Sequence, residues 1–277
     1  IAQNEWELHV YSVNYINRSL WFHSALGRGV AKESELLSMS MPLVILGEPG
    51  MGKSELLRNL SDSGNARLVT ARQLINRTEP RSLIEDGDTI LIDALDEVPA
   101  TGVGDAVDLV LQRLGQLSYP RFILSCRAAD WRSATSVAAI NEQYADGALE
   151  LHLEELTQDE QVKFLSAYVE QERAHKLIEH FQSFGLDGLL GNPQTLDLIR
   201  RLPVVKPLPT SRGALLDLAI EELRKEHREG GAELPRNDLL ETAGAAFAVM
   251  ILEGKSFVSR KSSANLEEDE TSLHALK

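Results

Sequence analysis

Short apolar runs alternate with amphipathic stretches from about residue 42 onward. The apolar, β-prone runs cover residues 43–46, 68–70, 89–92, 122–126 and 148–153. Each has the length of one buried strand. The segments between them, notably residues 71–77 and 104–117, have the apolar spacing of helices. Strands that alternate with helices predict a parallel sheet covered on both faces. We therefore expect a three-layer α/β domain over residues 38–154.

The strand pattern stops after about residue 154. Thr157 and Glu160 have the spacing of a capping box, which predicts a helix that runs to about residue 170. Further helices are predicted over residues 175–184, 193–201, 212–229 and 238–253. A linker that contains Pro203, Pro207 and Pro209 separates the second of these helices from the third. The pattern predicts a helical domain over residues 155–205 and a second helical segment over residues 206–277.

The first 37 residues give no single pattern. Trp6, Leu8 and Val10 alternate with polar residues, as in a strand. Residues 19–26 fit a short helix that Gly27 and Gly29 would end. We treat residues 1–37 as an N-terminal segment whose structure the pattern does not define.

A glycine-rich loop follows the first predicted strand and precedes a helix. The loop fits the pattern G-x-x-x-x-G-K-S. Its residues are Gly47, Glu48, Pro49, Gly50, Met51, Gly52, Lys53 and Ser54, and Glu55 follows directly. Glycines let backbone N–H groups approach an anion closely, and a helix N-terminus adds partial positive charge. This strand–loop–helix context indicates a phosphate-binding P-loop, which we weigh against a glycine-rich turn without a ligand.

The residues at the end of the loop define the predicted ligands. Lys53 would reach the β- and γ-phosphates of a nucleoside triphosphate. The Ser54 hydroxyl would bind Mg²⁺, which prefers hard oxygen ligands. We therefore expect Gly47 to Glu55 to bind a nucleoside triphosphate together with Mg²⁺.

A second motif lies at the end of the strand predicted over residues 89–92. Asp93 ends this apolar run, and Asp96 and Glu97 follow closely. A carboxylate at the end of a buried strand is costly unless it has a charged partner, and Mg²⁺ would supply one for Asp93. Asp96 and Glu97 would orient an attacking water; the alternative is that they cap the next helix.

Charge and composition narrow the classes of function. The net charge is −14, which argues against a mainly electrostatic grip on nucleic acid. The single cysteine, Cys126, excludes a disulfide within the chain and favours a reducing, cytoplasmic location. The longest apolar run, residues 243–252, is too short to cross a membrane. The chain starts without Met and ends in an acidic stretch, so we expect a segment of a longer protein.

Over about residues 40–255 the chain resembles the NACHT clade of the STAND signalling NTPases. The resemblance rests on the P-loop and on four further stretches: Ile90-Leu91-Ile92-Asp93-Ala94-Leu95-Asp96-Glu97, Phe122-Ile123-Leu124-Ser125-Cys126-Arg127, Gly191-Asn192-Pro193 and the helix from Leu215 to His227. Common AAA+ motors place a glutamate directly after the metal-binding aspartate, whereas this chain has Ala94 there.

The resemblance implies roles for two further residues. Arg127 would contact the γ-phosphate, with a surface ion pair as the alternative. Pro193 would lie near the adenine of ATP or ADP, which is compatible with a proline at the first position of a helix. Residues 206–277 would lead into a winged-helix-like domain that is cut short, and the histidine of that domain has no counterpart here.

As a function, the resemblance implies an ATP-dependent molecular switch. Slow hydrolysis would reset it, and the nucleotide state would control opening and conditional homo-oligomerisation. Effector or sensor domains would lie outside this segment, and a role in antiviral defence is typical of bacterial members. The principal alternative is an AAA+-like motor or remodeller. A phosphotransferase would need a set of residues that binds the phosphate acceptor, and the sequence shows none. A purely structural nucleotide-binding module would not need an intact Lys53, Ser54, Asp93 and Glu97.

Overall fold

The computed structural model describes most of the chain between residues 15 and 226. The described residues are 15–24, 27–64, 66–83, 89–98, 106–202, 207–226 and 244–245. The chain divides into two compact units, Ile1–Leu218 and Ala219–Lys277. The described residues of the second unit are helical.

One mixed sheet forms the centre of the first unit. Its strands among the described residues are β1 Ser19–Ser24, β2 Gly27–Lys32, β3 Leu43–Gly47, β4 Ala66–Thr70, β5 Thr89–Asp93, β6 Phe122–Arg127 and β7 Leu149–Leu153. Their order is β2-β1-β7-β3-β6-β5-β4. Strands β7 to β4 in this order run parallel, whereas β1 pairs antiparallel with both β2 and β7. The α/β fold with a largely parallel sheet is thus confirmed.

Helices cover both faces of the parallel strands, as a sheet of buried strands requires. The α-helices of the described residues are α1 Lys53–Ser63, α2 Ala71–Asn76, α3 Ala106–Gln116, α4 Ser133–Gln143, α5 Gln158–Ser166, α6 Gln171–Ser183, α7 Pro193–Arg200 and α8 Arg212–Glu226. Alternate side chains of a strand point to opposite faces. Ile45 accordingly packs on the α1 side with Leu57, and its neighbour Leu46 packs on the other side with Leu74 of α2 and Leu114 of α3.

The helices after β7 share a core of their own. Leu165 of α5, Phe181 of α6 and Leu196 of α7 are buried in one apolar cluster. Ile16, from the segment before β1, packs into the same cluster. The N-terminal segment therefore contacts the helical region as well as the sheet.

The helix predicted over residues 19–26 is wrong, because its described residues, Ser19–Ser24, form the strand β1. Leu20 is fully buried, and its strand is hydrogen-bonded to β2 on one side and β7 on the other. Gly27, with φ of 114°, starts β2 instead of ending a helix. Pairing with a strand more than a hundred residues away is not visible in a local pattern.

Some element limits differ from the sequence-based prediction. The helix opened by Thr157 ends at Ser166 instead of near residue 170, because the N–H groups of Tyr168 and Val169 both turn back to the Leu165 carbonyl. The next helix starts at Gln171, four residues before its predicted start. The predicted strand around Trp6 to Val10 lies outside the described residues, as does the helix over residues 238–253 except for residues 244–245. None of the described helices is long and apolar enough to cross a membrane.

Substituting Leu20 by alanine tests whether β1 is an integral part of the sheet. Leu20→Ala removes a fully buried side chain, so the free energy of unfolding should fall by about 2–5 kcal/mol. Denaturation in urea, followed by circular dichroism, measures this loss. Val30→Ala on β2 is the matched control, because Val30 is 61% exposed and should change stability by no more than about 0.5 kcal/mol. Equal effects of the two substitutions would contradict the buried position of Leu20.

Candidate functional site

Three parallel strands bring the predicted site residues to one edge of the sheet. Strand β6 lies between β3, which leads into the glycine-rich loop, and β5, which ends at Asp93. The register pairs Gly47 with Arg127 and Ile92 with Leu124. Because all three strands point the same way, their carboxyl ends meet at the place where open α/β sheets bind ligands.

The glycine-rich loop has a backbone that only glycine adopts easily. Gly50 and Gly52 have φ angles of 79° and 88°, in the left-handed region where a side chain is strained. Gly52 is also the N-cap of α1, so the loop leads directly into the positive end of that helix. Met51 is buried between these two glycines and anchors the loop to the core. The loop is thus a backbone cradle at a helix N-terminus, which suits a phosphate group.

Lys53 lies inside this cradle. Its Nζ atom donates hydrogen bonds to the carbonyl oxygens of Gly47 at 2.7 Å and Glu48 at 3.1 Å. Burial lowers the pKa of Lys53, the negative charges of Asp96 and Asp93 oppose this, and the positive charge of Arg127 adds to it. The charges of the predicted strand-end residues therefore act on the Lys53 ammonium group.

Ser125, a residue that the sequence analysis did not single out for a role of its own, holds Asp93 in place. The fully buried Ser125 hydroxyl donates to Asp93 Oδ1 at 2.5 Å and accepts from the backbone N–H of Ala94 at 3.0 Å. Ala94 has a positive φ of 59°, which turns the chain sharply after β5. The carboxylate of Asp93 and the hydroxyl of Ser54, in the first turn of α1, are the oxygen ligands that Mg²⁺ prefers.

Asp96 and Arg127 form an ion pair at the end of β6. Arg127 Nε lies 2.8 Å from Asp96 Oδ2, and the backbone N–H of Arg127 donates to Asp96 Oδ1 at 3.2 Å. The Asp96 side chain is only 7% exposed, whereas that of Arg127 is 44% exposed. Glu97, the next residue in the same 3-10 turn, is exposed to solvent. The two acids that the sequence placed together thus have different surroundings.

The tip of the glycine-rich loop contacts the N-terminus of α7. Asn192 caps this helix by accepting from the N–H of Gln194, and its Nδ2 atom donates to the Pro49 carbonyl at 2.9 Å. The Gln194 N–H also donates to the Gly50 carbonyl at 3.2 Å. A Cβ atom on Gly50 would lie 2.3 Å from Gln194 Oε1, so the loop and the helix can approach only because residue 50 is glycine. Pro193 occupies the first position of α7.

A cavity of about 180 Å³ lies beside the first turn of α1. Its lining combines the glycine-rich loop and α1, the helical region and the segment before β1: Tyr15, Ile16, Arg18, Gly52, Glu55, Leu156, Phe164, Tyr168, Pro193 and Asp197. Aromatic and aliphatic side chains with a few polar groups are typical of small-molecule sites. The cavity brings together Pro193 and Glu55, which the sequence analysis included in the site.

The N-terminal side of this cavity is fixed by a buried polar network that the sequence analysis missed. Glu33 is buried and accepts hydrogen bonds from the Tyr15 hydroxyl, the Arg18 N–H and Asn59 Nδ2 at 2.7, 2.8 and 2.6 Å. Arg18 is 5% exposed and donates to the Glu154 carbonyl. Burial raises the pKa of the Tyr15 phenol and lowers that of Arg18. An isolated Arg in an apolar stretch carries no local signal of such a role.

Cys126 contributes packing at this edge of the sheet. Its side chain is buried in the apolar core on the α3 side. Burial raises the pKa of the Cys126 thiol to about 12, and the negative charges of Asp96 and Asp130 add to this. The thiol is therefore protonated at neutral pH, as expected for an unreactive core residue.

Comparison with known proteins identifies similar folds but no family. No protein-family model matches the chain, and no curated protein matches it. Similar solved structures include the RuvB Holliday junction branch migration motor of Thermotoga maritima, at 17% identity and a TM-score of 0.41 over 80% of this chain and 78% of that one.

Two further similar structures belong to other proteins. The replication initiator DnaA bound to AMPPCP and single-stranded DNA is 16% identical, with a TM-score of 0.40 over 83% of this chain and 72% of that one. A STAND protein with a tetratricopeptide repeat sensor from Pyrococcus horikoshii is 15% identical, with a TM-score of 0.41 over 88% of this chain and 37% of that one. At these TM-scores the similarity carries no functional argument. The P-loop NTPase fold rests on the strand order and the loop geometry described above.

Replacing Asn192 separates its two contacts. Asn192→Ala removes the cap of α7 and the contact with Pro49, so the free energy of unfolding should fall by about 1–2 kcal/mol. Asn192→Asp keeps an oxygen that caps the helix but cannot donate to the Pro49 carbonyl, so it should cost less than the alanine substitution. Unfolding in urea measures both. Equal losses for the two variants would mean that the contact with the loop, instead of the cap, carries the stability.

Proposed function

We propose that this chain binds ATP with Mg²⁺, hydrolyses it slowly and acts as a nucleotide-controlled switch. The observation that carries the proposal is the glycine cradle around Lys53, which faces Asp93 and Arg127 across one edge of the sheet. A backbone cradle, a lysine, a hydroxyl and a carboxylate at this edge are the groups that a nucleoside triphosphate with its metal requires.

The phosphates would lie in the loop between Gly47 and Ser54. The N–H groups of the loop and of the first turn of α1 would donate to phosphate oxygens, and Lys53 would exchange its hydrogen bonds to the Gly47 and Glu48 carbonyls for bonds to phosphate. Ser54 and Asp93 would hold Mg²⁺. When bound, this ion neutralises charge on the phosphates and polarises the phosphoryl oxygen atoms.

The base and ribose would occupy the cavity beside α1. Gly52 and Glu55 place this cavity directly next to the phosphate loop, and Phe164, Tyr168 and Pro193 provide apolar surface for a flat ring. This placement supports the predicted position of Pro193 near the base. It also adds Arg18 to the candidate binding residues, because its guanidinium lies in the same lining, close to Gly52.

Glu97 is the better candidate for orienting the attacking water. A general base must reach the water and its proton, and Glu97 is open to solvent in the 3-10 turn that follows β5. The carboxylate of Asp96 is buried and contacts Arg127 through both oxygen atoms. We therefore assign proton transfer to Glu97 and place Asp96 in a supporting position.

The contact between the loop tip and α7 supports a switch. Asn192 and Gln194 bind the backbone carbonyls of Pro49 and Gly50. A change in the loop conformation on nucleotide binding would therefore alter the position of α7. A ligand shifts a conformational equilibrium only by contacts that differ between the two states. In the NACHT-type reading, this coupling would control opening and homo-oligomerisation, with effector or sensor domains outside the segment and a role in antiviral defence.

Substitutions of Lys53 and Glu97 separate nucleotide binding from hydrolysis. Lys53→Ala should weaken ATP binding by about a hundredfold or more, because a charged hydrogen bond to phosphate is lost. Glu97→Gln should keep binding and lower turnover by roughly 10²–10⁴-fold. Calorimetric titration with ATP and phosphate release measure the two effects. Lys176→Ala, in an exposed ion pair of α6, is the control; unchanged ATP binding by Lys53→Ala would refute the assigned site.

Turnover and assembly distinguish the switch from a motor or remodeller. A switch should hydrolyse ATP slowly as an isolated chain, at well below one turnover per second, in contrast to the median enzyme at about 10 s⁻¹. Phosphate release at saturating ATP, with size-exclusion chromatography in ATP and in ADP, provides the measurement. Fast multiple turnover by the monomer would rule out the switch, and turnover that requires closed rings would favour the motor.

A further inference from the structure

We infer that Asp96 sets how strongly the site prefers a triphosphate over a diphosphate, because Asp96 competes with the γ-phosphate for Arg127. The inference rests on the proposed function, since it concerns the same nucleotide site. It assigns to Asp96 a role in specificity instead of the water-orienting role that the sequence suggests.

Two contacts join Asp96 to Arg127. Asp96 binds Arg127 at two points, the side-chain Nε atom at 2.8 Å and the backbone N–H at 3.2 Å. The second contact fixes the carboxylate relative to the end of β6, so the pair is held by the backbone and not only by two mobile side chains. With 7% exposure, the Asp96 carboxylate is poorly screened by water, which makes this pair stronger than a typical surface ion pair.

The guanidinium group is nevertheless able to leave. The Arg127 side chain is 44% exposed, so its guanidinium group has room to turn away from Asp96. Arg127 lies opposite Gly47 in the sheet register, next to the start of the phosphate loop. A short rearrangement of the side chain would therefore turn it towards a phosphate bound beside Lys53.

Competition between Asp96 and the γ-phosphate produces the discrimination. A triphosphate that engages Arg127 must first weaken the contact with Asp96, so part of its binding free energy is used to break the pair. A diphosphate does not need Arg127 and incurs no such cost. Asp96 would thus lower the affinity for ATP relative to ADP and would keep Arg127 in its resting position until a γ-phosphate is present.

A double-mutant cycle tests this assignment. Dissociation constants for ADP and for the non-hydrolysable analogue AMPPCP, both with Mg²⁺, are measured by calorimetry for the unmodified chain, Asp96→Asn, Arg127→Ala and the double variant. Asp96→Asn should raise the preference for AMPPCP over ADP by roughly 3- to 10-fold, the range of a moderate ion pair. In the Arg127→Ala background, the same substitution should leave the preference unchanged.

The Arg127→Ala background distinguishes competition for Arg127 from electrostatic repulsion between the Asp96 carboxylate and the phosphates. Removing a carboxylate near the phosphates would also favour the more highly charged nucleotide without any involvement of Arg127. An equal rise in both backgrounds would show this repulsion and overturn the inference. An unchanged preference in the unmodified background would also overturn the inference, and a loss of ATP turnover beside it would place Asp96 in the chemical step.

Two controls complete the experiment. Glu172→Gln removes one carboxylate from the exposed pair with Lys176 on α6 and should leave the preference unchanged; a rise like that of Asp96→Asn would mean that overall charge explains the result. Asp96→Ser, which keeps an acceptor oxygen without the charge, replaces the asparagine variant if thermal unfolding shows that the latter does not fold. If the unmodified chain binds neither nucleotide, the proposed function itself fails.

Discussion

The hydrogen-bonded register of β3, β6 and β5 is the constraint on which the site depends. Strand β6 separates the strand of the glycine-rich loop from the strand of Asp93, so its last residues can reach both. Ser125 points to the Asp93 side and fixes that carboxylate, and Arg127 lies opposite Gly47 and pairs with Asp96. A one-residue slip of β6 would turn each of these side chains to the opposite face of the sheet, and neither contact could form.

The glycine-rich loop is held from both of its sides. On one side, the N-terminus of α1 continues directly from Gly52; on the other, Asn192 and Gln194 bind the loop carbonyls. Gly50 meets two requirements at once, because its φ is positive and because α7 leaves no space for a Cβ atom. The sequence motif explains the first requirement, whereas the second arises only from the packing of α7. The conformation of the loop therefore depends on contacts with both the sheet domain and the helical region.

The parts of the fold that could be predicted from the sequence are those determined by local patterns. Buried parallel strands are continuous apolar runs, and the P-loop has a fixed spacing, so β3, β5, β6 and the loop followed from the sequence. The hairpin of β1 and β2 did not, because β2 is glycine-rich without an apolar run and because β1 also pairs with the distant strand β7. Arg18 and Ser125 also could not be identified as site residues, since their positions depend on distant partners, Glu154 and Asp93.

The site shows how a strongly acidic chain can present a place for a polyanion. The net charge is −14, but charges at the surface are screened beyond about 8 Å at physiological ionic strength. At the site itself, the backbone N–H groups of the loop and α1 are joined by Lys53, Arg127 and Arg18. The Asp96 carboxylate is paired with Arg127, so it does not act as a free negative charge. Overall charge therefore affects how often an anion approaches, and the local arrangement of donors determines whether it binds.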